Sequence, residues 1–179
     1  MKTEIKAGVL ISLSYFLWLL AEFKLGLHSY RIDYYPFVFW LAFILPIAGI
    51  YLTIRYARDK EHAGKINFLQ SLLSGLKITA VISAVIPLLS WLYVSVINPT
   101  YFPAMKAQQE NMIEDLNLSS STEKEALIRE LAISYSPASF LFRQFLIILI
   151  SSIFLSLIIA ALIKKEHIPG GTQKNVGHG

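Results

Sequence analysis

The chain of 179 residues has a formal net charge of +4, and 55% of its residues are hydrophobic, which excludes an ordinary soluble domain. It contains no cysteine, so disulfides, thiolate metal sites and thiol nucleophiles are also excluded. The basic residues form no patch with interleaved aromatic side chains, so no nucleic-acid partner is expected. We expect an all-α membrane protein with a single domain, residues 1–168, and a flexible tail, residues 169–179.

The first two apolar segments, residues 5–25 and 36–54, are each about long enough to cross the hydrocarbon core of a bilayer. In the first, Gly8 and Ser12 are four residues apart, a spacing that lets another helix approach closely. The second follows several tyrosines typical of a membrane interface, and its Pro46 is expected to kink it. Both segments are predicted to be membrane-spanning helices.

The third apolar segment follows a hydrophilic stretch, residues 55–65, whose excess of lysine and arginine predicts a cytoplasmic location. Residues 66–76 are apolar but interrupted, and the continuous run covers residues 77–97. We expect a helix that enters along the inner interface and then crosses the membrane. Lys77 would extend its ammonium group to the inner headgroups, and Pro87 would bend the crossing part.

Small residues recur at every fourth position in the third and fourth apolar segments. They are Gly75, Thr79 and Ser83 in the third, and Ser152, Ser156 and Ala160 in the fourth. In a membrane, such stripes let helix backbones approach closely. We therefore expect each stripe to pack against another helix.

The longest hydrophilic stretch, residues 100–136, is predicted to form a helical hairpin, because Thr122 and Glu125 make a capping-box pattern at the start of a second helix. The first helix carries an apolar face formed by Met105, Met112, Ile113 and Leu116. This face either rests on the membrane surface or on the protein's own helices, or it contacts a partner protein.

The most apolar segment, residues 139–163, contains a single charge, Arg143. Ser136 is placed to cap its start, and Pro137 suits the first helical position. Lys164 and Lys165 close the segment with cations that reach the headgroups. It is the fourth predicted membrane span.

Lysine and arginine are more numerous at the two termini and in residues 55–65 than in the two segments that would lie on the other side of the membrane. The positive-inside rule then places both termini in the cytoplasm. The result is a multi-pass protein of the bacterial inner membrane, with an extracytoplasmic helical hairpin between the third and fourth helices.

Three ionisable residues in or near the spans, Glu22, Lys77 and Arg143, are candidate functional residues, because a charge in the membrane is costly. Glu22 and Arg143 share the outer leaflet in this topology, so we hypothesise that they face the bundle interior and pair. In the alternative interpretation, each extends separately to the outer interface.

Four features together resemble the domain of unknown function 4199 (DUF4199) family of small bacterial membrane proteins, seen mostly in Bacteroidota. They are residues 6–8, residues 68–75, the segment YVSVINPTY at 93–101, and the final Lys164-Lys165. The resemblance implies four membrane helices with an external segment before the last one. It implies no reaction, ligand or catalytic residue.

The sequence shows no reactive constellation, so we expect no cofactor, no metal site and no enzymatic activity. Its histidines, His28, His62, His167 and His178, are scattered among loops and the tail, where we interpret them as solvated. Besides the lipid bilayer, the expected partner is a second copy of the chain or an envelope protein. The alternative is a small oligomeric transporter in which Glu22, Lys77 and Arg143 line a path.

Overall fold

The computed structural model describes residues 2–115, 121–134 and 136–163, and these residues form seven α-helices. The helices are α1 (Lys2–Lys24), α2 (Tyr35–Ala42), α3 (Ile44–Tyr56), α4 (Phe68–Leu92), α5 (Tyr101–Asp115), α6 (Ser121–Ser134) and α7 (Pro137–Ile163). Short π-helical turns, Ala57–Glu61 and Tyr93–Ile97, continue α3 and α4.

Four helical segments are long and apolar enough to cross a membrane: Lys2–Lys24, Trp40–Glu61, Phe68–Ile97 and Pro137–Ile163. The four predicted spans are therefore confirmed as apolar helices. As expected, a single helix leads into the crossing part, because α4 begins at Phe68, before the continuous apolar run, and is uninterrupted. Asn67 and Gln70 form a capping box that fixes this earlier start.

The second span is broken at Phe43, between α2 and α3. Pro46 lies in the first turn of α3, where its missing N–H is tolerated, but its ring would clash with the carbonyl of Ala42 in a continuous helix. The predicted kink therefore lies at Phe43, on the N-terminal side of Pro46.

Helix α4 lies at the centre of the bundle and packs mainly against α7 and α1. The small residues make this possible, as predicted. A Cβ atom added at Gly75 would lie 2.7 Å from Ser156 Cβ of α7, and one added at Gly8 would lie 2.6 Å from Val81 Cβ of α4. The Thr79 and Ser156 hydroxyl oxygens are 3.4 Å apart across the same contact.

The spaces between the four spans are filled mainly by isoleucine. The buried members of this core are Ile11, Ile50, Ile54, Ile66, Ile78, Ile82, Ile86, Ile159 and Ile163. Branched side chains lose little rotamer freedom when buried in a helix, so they fill the gaps between closely approaching backbones in fixed conformations.

Helices α5 and α6 contact each other, and Lys124 Nζ of α6 lies 3.5 Å from Glu114 Oε1 of α5. On the predicted apolar face of α5, Met105 and Ile113 are buried within the protein, whereas Met112 is 52% exposed. Two of the three described members of this face thus pack within the protein. Leu116, the Lys164-Lys165 pair and the tail lie outside the described residues.

Helix α7 starts where the capping pattern predicts. The Ser136 side-chain oxygen accepts a hydrogen bond from the Ser139 backbone N–H at 3.3 Å, and Pro137 is the first helical residue.

We predict that Gly75→Ala destabilises the protein by about 1–3 kcal/mol, although alanine is the better helix former, because the new methyl group would overlap Ser156. Thermal unfolding in detergent measures the effect. Combining Gly75→Ala with Ser156→Gly should cost less than the two single changes added together. Ala80→Val, at an exposed position of α4, is the control. Additive costs would mean that this close approach does not limit stability.

Candidate functional site

A buried polar cluster lies at the end of the bundle where α1 and α4 end and α2, α5 and α7 begin, which we call the hairpin end. Its members, defined here as the His28 cluster, are Trp18, Glu22, His28, Tyr93 and Asn98.

Local structure brings these residues together. Trp18 and Glu22 are four residues apart in α1 and share one face. After α1 the chain turns back at Gly26, whose φ of +75° suits glycine, and the turn folds His28 inward. On α4, the π-helical turn closes with a 2.8 Å hydrogen bond from the Asn98 N–H to the Tyr93 carbonyl.

The hydrogen bonds of the His28 cluster have a defined direction. Asn98 Nδ2 donates to the Tyr93 hydroxyl at 2.9 Å, so the Tyr93 hydrogen is left to donate to His28 Nδ1 at 2.5 Å. A neutral His28 then carries its own hydrogen on Nε2, which lies 3.3 Å from Glu22 Oε2. This approach is close enough for electrostatic attraction but falls short of a well-formed hydrogen bond. The Trp18 indole N–H donates to Glu22 Oε1 at 2.7 Å.

Burial makes these contacts energetically important, because Glu22 is 3% exposed and His28 only 1%. A carboxylate taken from water into such a site is costly unless polar groups compensate it. Here the compensating groups are the Trp18 indole and the His28 imidazole. The interpretation of His28 as a solvated loop residue is wrong. Glu22 contacts His28 and Trp18, and its hypothesised pairing with Arg143 stays a prediction.

A cavity of about 590 Å³ adjoins the His28 cluster. Its lining residues are Tyr15, Leu19, Tyr35, Trp40, Ala42, Phe43, Pro46, Ile86, Ser90, Tyr93, Val94, Tyr101, Met105, Gln108, Gln109, Met112, Phe140, Arg143, Gln144, Ile147, Ile148, Ser151 and Ser152. Helix α5 forms one wall at the hairpin end, and α7 forms the wall that runs deepest into the bundle.

The cluster and the cavity share a wall made of tyrosines. Tyr93 belongs to both, and the His28 ring meets the rings of Tyr35 and Tyr101 edge to face, with centroids 5.1 and 5.2 Å apart. The hydroxyl oxygens of Tyr35 and Tyr101 lie 3.4 Å from each other. His28 thus contacts three of the tyrosine rings that line the cavity.

Polar groups also reach the cavity from the spans themselves. Gln144 Nε2 of α7 lies 3.4 Å from the Tyr15 hydroxyl and 3.2 Å from Ser90 Oγ, joining α7 to α1 and α4. Arg143 is the one charged side chain among the described residues that line the cavity. The site can therefore offer hydrogen bonds and a positive charge within largely apolar walls.

A second polar cluster lies at the opposite end of the bundle. Glu4, 3% exposed, accepts hydrogen bonds from Ser74 Oγ at 3.2 Å and from Lys77 Nζ at 3.3 Å. Along α4, Lys77 lies roughly 24 Å from Tyr93 at 1.5 Å per residue. Of the three candidate residues, Glu22 and Arg143 thus lie toward the hairpin end and Lys77 lies at the opposite end.

Sequence reasoning missed Glu4, Tyr93 and Asn98. The i, i+4 spacing of Trp18 and Glu22, and the glycine two residues before His28, are the signals that could have pointed to a buried cluster. In residues 2–115, 121–134 and 136–163, no group of three or more His, Asp or Glu side chains is placed to hold a metal ion.

The family model described as "Protein of unknown function (DUF4199)" matches residues 6–165, which is most of the chain. The chain belongs to the DUF4199 family. The match covers the first apolar span of this DUF4199 protein from residue 6 onward, the other three spans in full, the His28 cluster and the cavity. No curated protein and no solved structure matches the chain.

We predict that His28→Leu destabilises this DUF4199 protein by about 3 kcal/mol or more, because the buried Glu22 carboxylate keeps only its indole partner. In a Glu22→Gln background, His28→Leu should lower the stability clearly less, because glutamine carries no buried charge that needs compensation. Thermal unfolding in detergent is the measurement. Lys124→Leu, which breaks an exposed ion pair, should cost less than about 1 kcal/mol. Equal costs of His28→Leu in both backgrounds would show that the two side chains are not coupled.

Proposed function

We propose that the protein is a multi-pass protein of the bacterial inner membrane that acts by binding a small amphipathic molecule, and not by catalysis. The observation that carries this proposal is the cavity of about 590 Å³ at the hairpin end. Ligand pockets in proteins typically enclose roughly 300–1,000 Å³ and combine apolar walls with a few placed polar groups.

The walls suit a molecule that is neither wholly polar nor wholly apolar. Phe43, Pro46, Ile86 and Ile148 provide apolar surface deep in the cavity, while Gln144 contributes an amide group at mid-depth. A ligand that buries its apolar part against these walls gains roughly 25 cal/mol per Å² relative to water. Its polar part then determines its orientation.

In the proposed orientation, both termini are cytoplasmic and the α5–α6 hairpin lies outside the membrane. The basic residues Arg55, Arg58, Lys60 and Lys65 at the opposite end of the bundle support this arrangement. The cavity would then occupy the outer half of the membrane, with α5 covering it on the extracytoplasmic side.

The association expected from sequence, with a second copy or an envelope protein, stays a prediction. On the proposed contact face, Met105 and Ile113 are buried within the protein, and Met112 lines the cavity. The transporter alternative, with a path lined by Glu22, Lys77 and Arg143, also stays a prediction. Binding in the cavity is the function that the geometry supports best.

The orientation is testable by cysteine labelling, because the natural chain contains no cysteine to interfere. We predict that Glu125→Cys in α6 reacts with a membrane-impermeant maleimide in spheroplasts, whereas Lys60→Cys reacts only after lysis. Both positions are exposed, so protection reports the side of the membrane. The reverse pattern would overturn the orientation.

We predict that Ile148→Trp, which fills the cavity, abolishes co-purification of a bound small molecule from native membranes, as detected by mass spectrometry of extracted protein. Ile150→Trp is the matched control, because Ile150 lies on the same helix but is 63% exposed and does not line the cavity. Identical bound material in both variants and the natural protein would place the ligand elsewhere. Absence of any bound molecule from the natural protein would contradict the proposed function.

A further inference from the structure

Three uncharged polar side chains from three different helices meet in the cavity wall. Gln144 of α7 contacts Tyr15 of α1 and Ser90 of α4, and all three residues line the cavity. The Gln144 Nε2 atom lies 3.4 Å from the Tyr15 hydroxyl oxygen and 3.2 Å from Ser90 Oγ. We call these three residues the Gln144 triad.

The contacts within the Gln144 triad use only part of its hydrogen-bonding capacity. In both contacts the amide nitrogen donates and a hydroxyl oxygen accepts. The Tyr15 and Ser90 hydroxyl hydrogens and the Gln144 carbonyl oxygen Oε1 then have no hydrogen-bond partner among the described residues. Turning the Gln144 amide over exchanges the roles of its two ends, but the triad still keeps an unused donor and an unused acceptor.

The surroundings of the Gln144 triad make this unused capacity costly. Its members belong to three of the segments that are long and apolar enough to cross a membrane, and Ser90 is only 2% exposed. One turn deeper, the cavity wall is apolar and is formed by Ile86 of α4 and Ile148 of α7. A polar group left without a partner in such surroundings costs free energy. A bound molecule that supplies the missing partners therefore gains affinity from them.

A hydroxyl group matches the Gln144 triad. It has one hydrogen to donate and lone pairs that accept, whereas an ether oxygen only accepts and an ammonium group only donates. Its oxygen can accept from the Tyr15 and Ser90 hydroxyls while its hydrogen is donated to Gln144 Oε1. A charged group at this place would lose its hydration without an opposite charge in the triad. Arg143, next to Gln144 in sequence, is exposed and is not part of the triad.

We propose that the cavity binds an uncharged amphiphile through a hydroxyl group held by the Gln144 triad, with the apolar part of the molecule against Ile86 and Ile148. This inference rests on the proposed function, since it names the class of molecule that the cavity binds. Gln144 lies roughly 10 Å along α7 from Pro137 at 1.5 Å per residue. The hydroxyl group of the ligand is therefore placed inside the bundle and not at its end.

The test compares three probes that contain the same number of non-hydrogen atoms and differ in their polar group. Dodecanol donates and accepts hydrogen bonds, methyl undecyl ether only accepts them, and tridecane does neither. Each probe is titrated against the protein in neutral phosphatidylcholine nanodiscs, and its partitioning into empty nanodiscs is subtracted. Dodecanoate is the charged probe, and we expect it to bind more weakly than dodecanol.

Variants separate the hydroxyl contact from the cavity. Gln144→Leu should weaken binding of dodecanol roughly three- to tenfold, weaken the ether less and leave tridecane unchanged. Ser90→Ala should weaken dodecanol by a similar factor and also leave tridecane unchanged. Ser151→Ala is the matched control and should change no affinity, because Ser151 lines the cavity but its hydroxyl already donates to the Ile147 carbonyl. Circular dichroism and thermal unfolding verify that each variant is folded.

Several outcomes would contradict binding through a hydroxyl group. Unchanged affinity for dodecanol in Gln144→Leu and Ser90→Ala, with Ile148→Trp still blocking it, would reject the triad and leave the cavity as a binding site. Equal weakening of dodecanol and tridecane in both triad variants would reject a hydrogen bond as the cause. Tighter binding of dodecanoate than of dodecanol, or a co-purifying molecule that is charged or lacks a hydroxyl group, would reject the ligand class. Failure of every probe to bind, with no molecule co-purifying, would reject the proposed function as well.

Discussion

The close approach of helix backbones around α4 is the constraint on which the rest of the structure depends. Gly75 faces Ser156 of α7 and Gly8 faces Val81, so that no larger side chain fits at either glycine without a shift. In a bilayer, lipid tails are as apolar as the side chains, so helices associate through packing and interhelical polar contacts. Small residues provide both, because they bring the backbones together and place the Thr79 and Ser156 hydroxyl groups within 3.4 Å.

The same central helix carries the polar groups that mark the two ends of the bundle. Lys77 near its start reaches Glu4, and Tyr93 at its end reaches His28. The first contact joins α4 to the buried Glu4 carboxylate of α1, and the second joins α4 to His28, whose other ring nitrogen lies 3.3 Å from the Glu22 carboxylate. The cost of burying Glu4 without a partner favours the position of α1 along α4 that brings Ser74 and Lys77 to this carboxylate. The cavity lies beside the Tyr93 end, where α5 begins and α7 enters the bundle.

Much of the fold could be predicted from residues alone, and the site could not. Apolar length identified the four spans. Small residues at every fourth position identified the faces of α4 and α7 that pack against another helix, and Ser136-Pro137 identified the start of α7, because these signals are local. The pairing of Glu22 with His28 depends on how the turn at Gly26 folds, which is a tertiary property. The sequence argument matched Glu22 to Arg143 by depth alone, and depth carries no information about which face of a helix a residue occupies. The cavity is lined by residues of several helices. No single segment of sequence carries a pattern that predicts such a space.

The π-helical turn Tyr93–Ile97 determines more than the end of α4. It accommodates one residue more per turn than an α-helix does, so it rotates the chain that follows by roughly 100° relative to a regular helix. That rotation returns Asn98 to the side of Tyr93 and determines the direction in which α5 leaves the bundle. A change in the length of this turn by one residue would swing α5 around the axis of α4. Tyr101 and Met105 would leave the cavity wall, although neither residue had been altered.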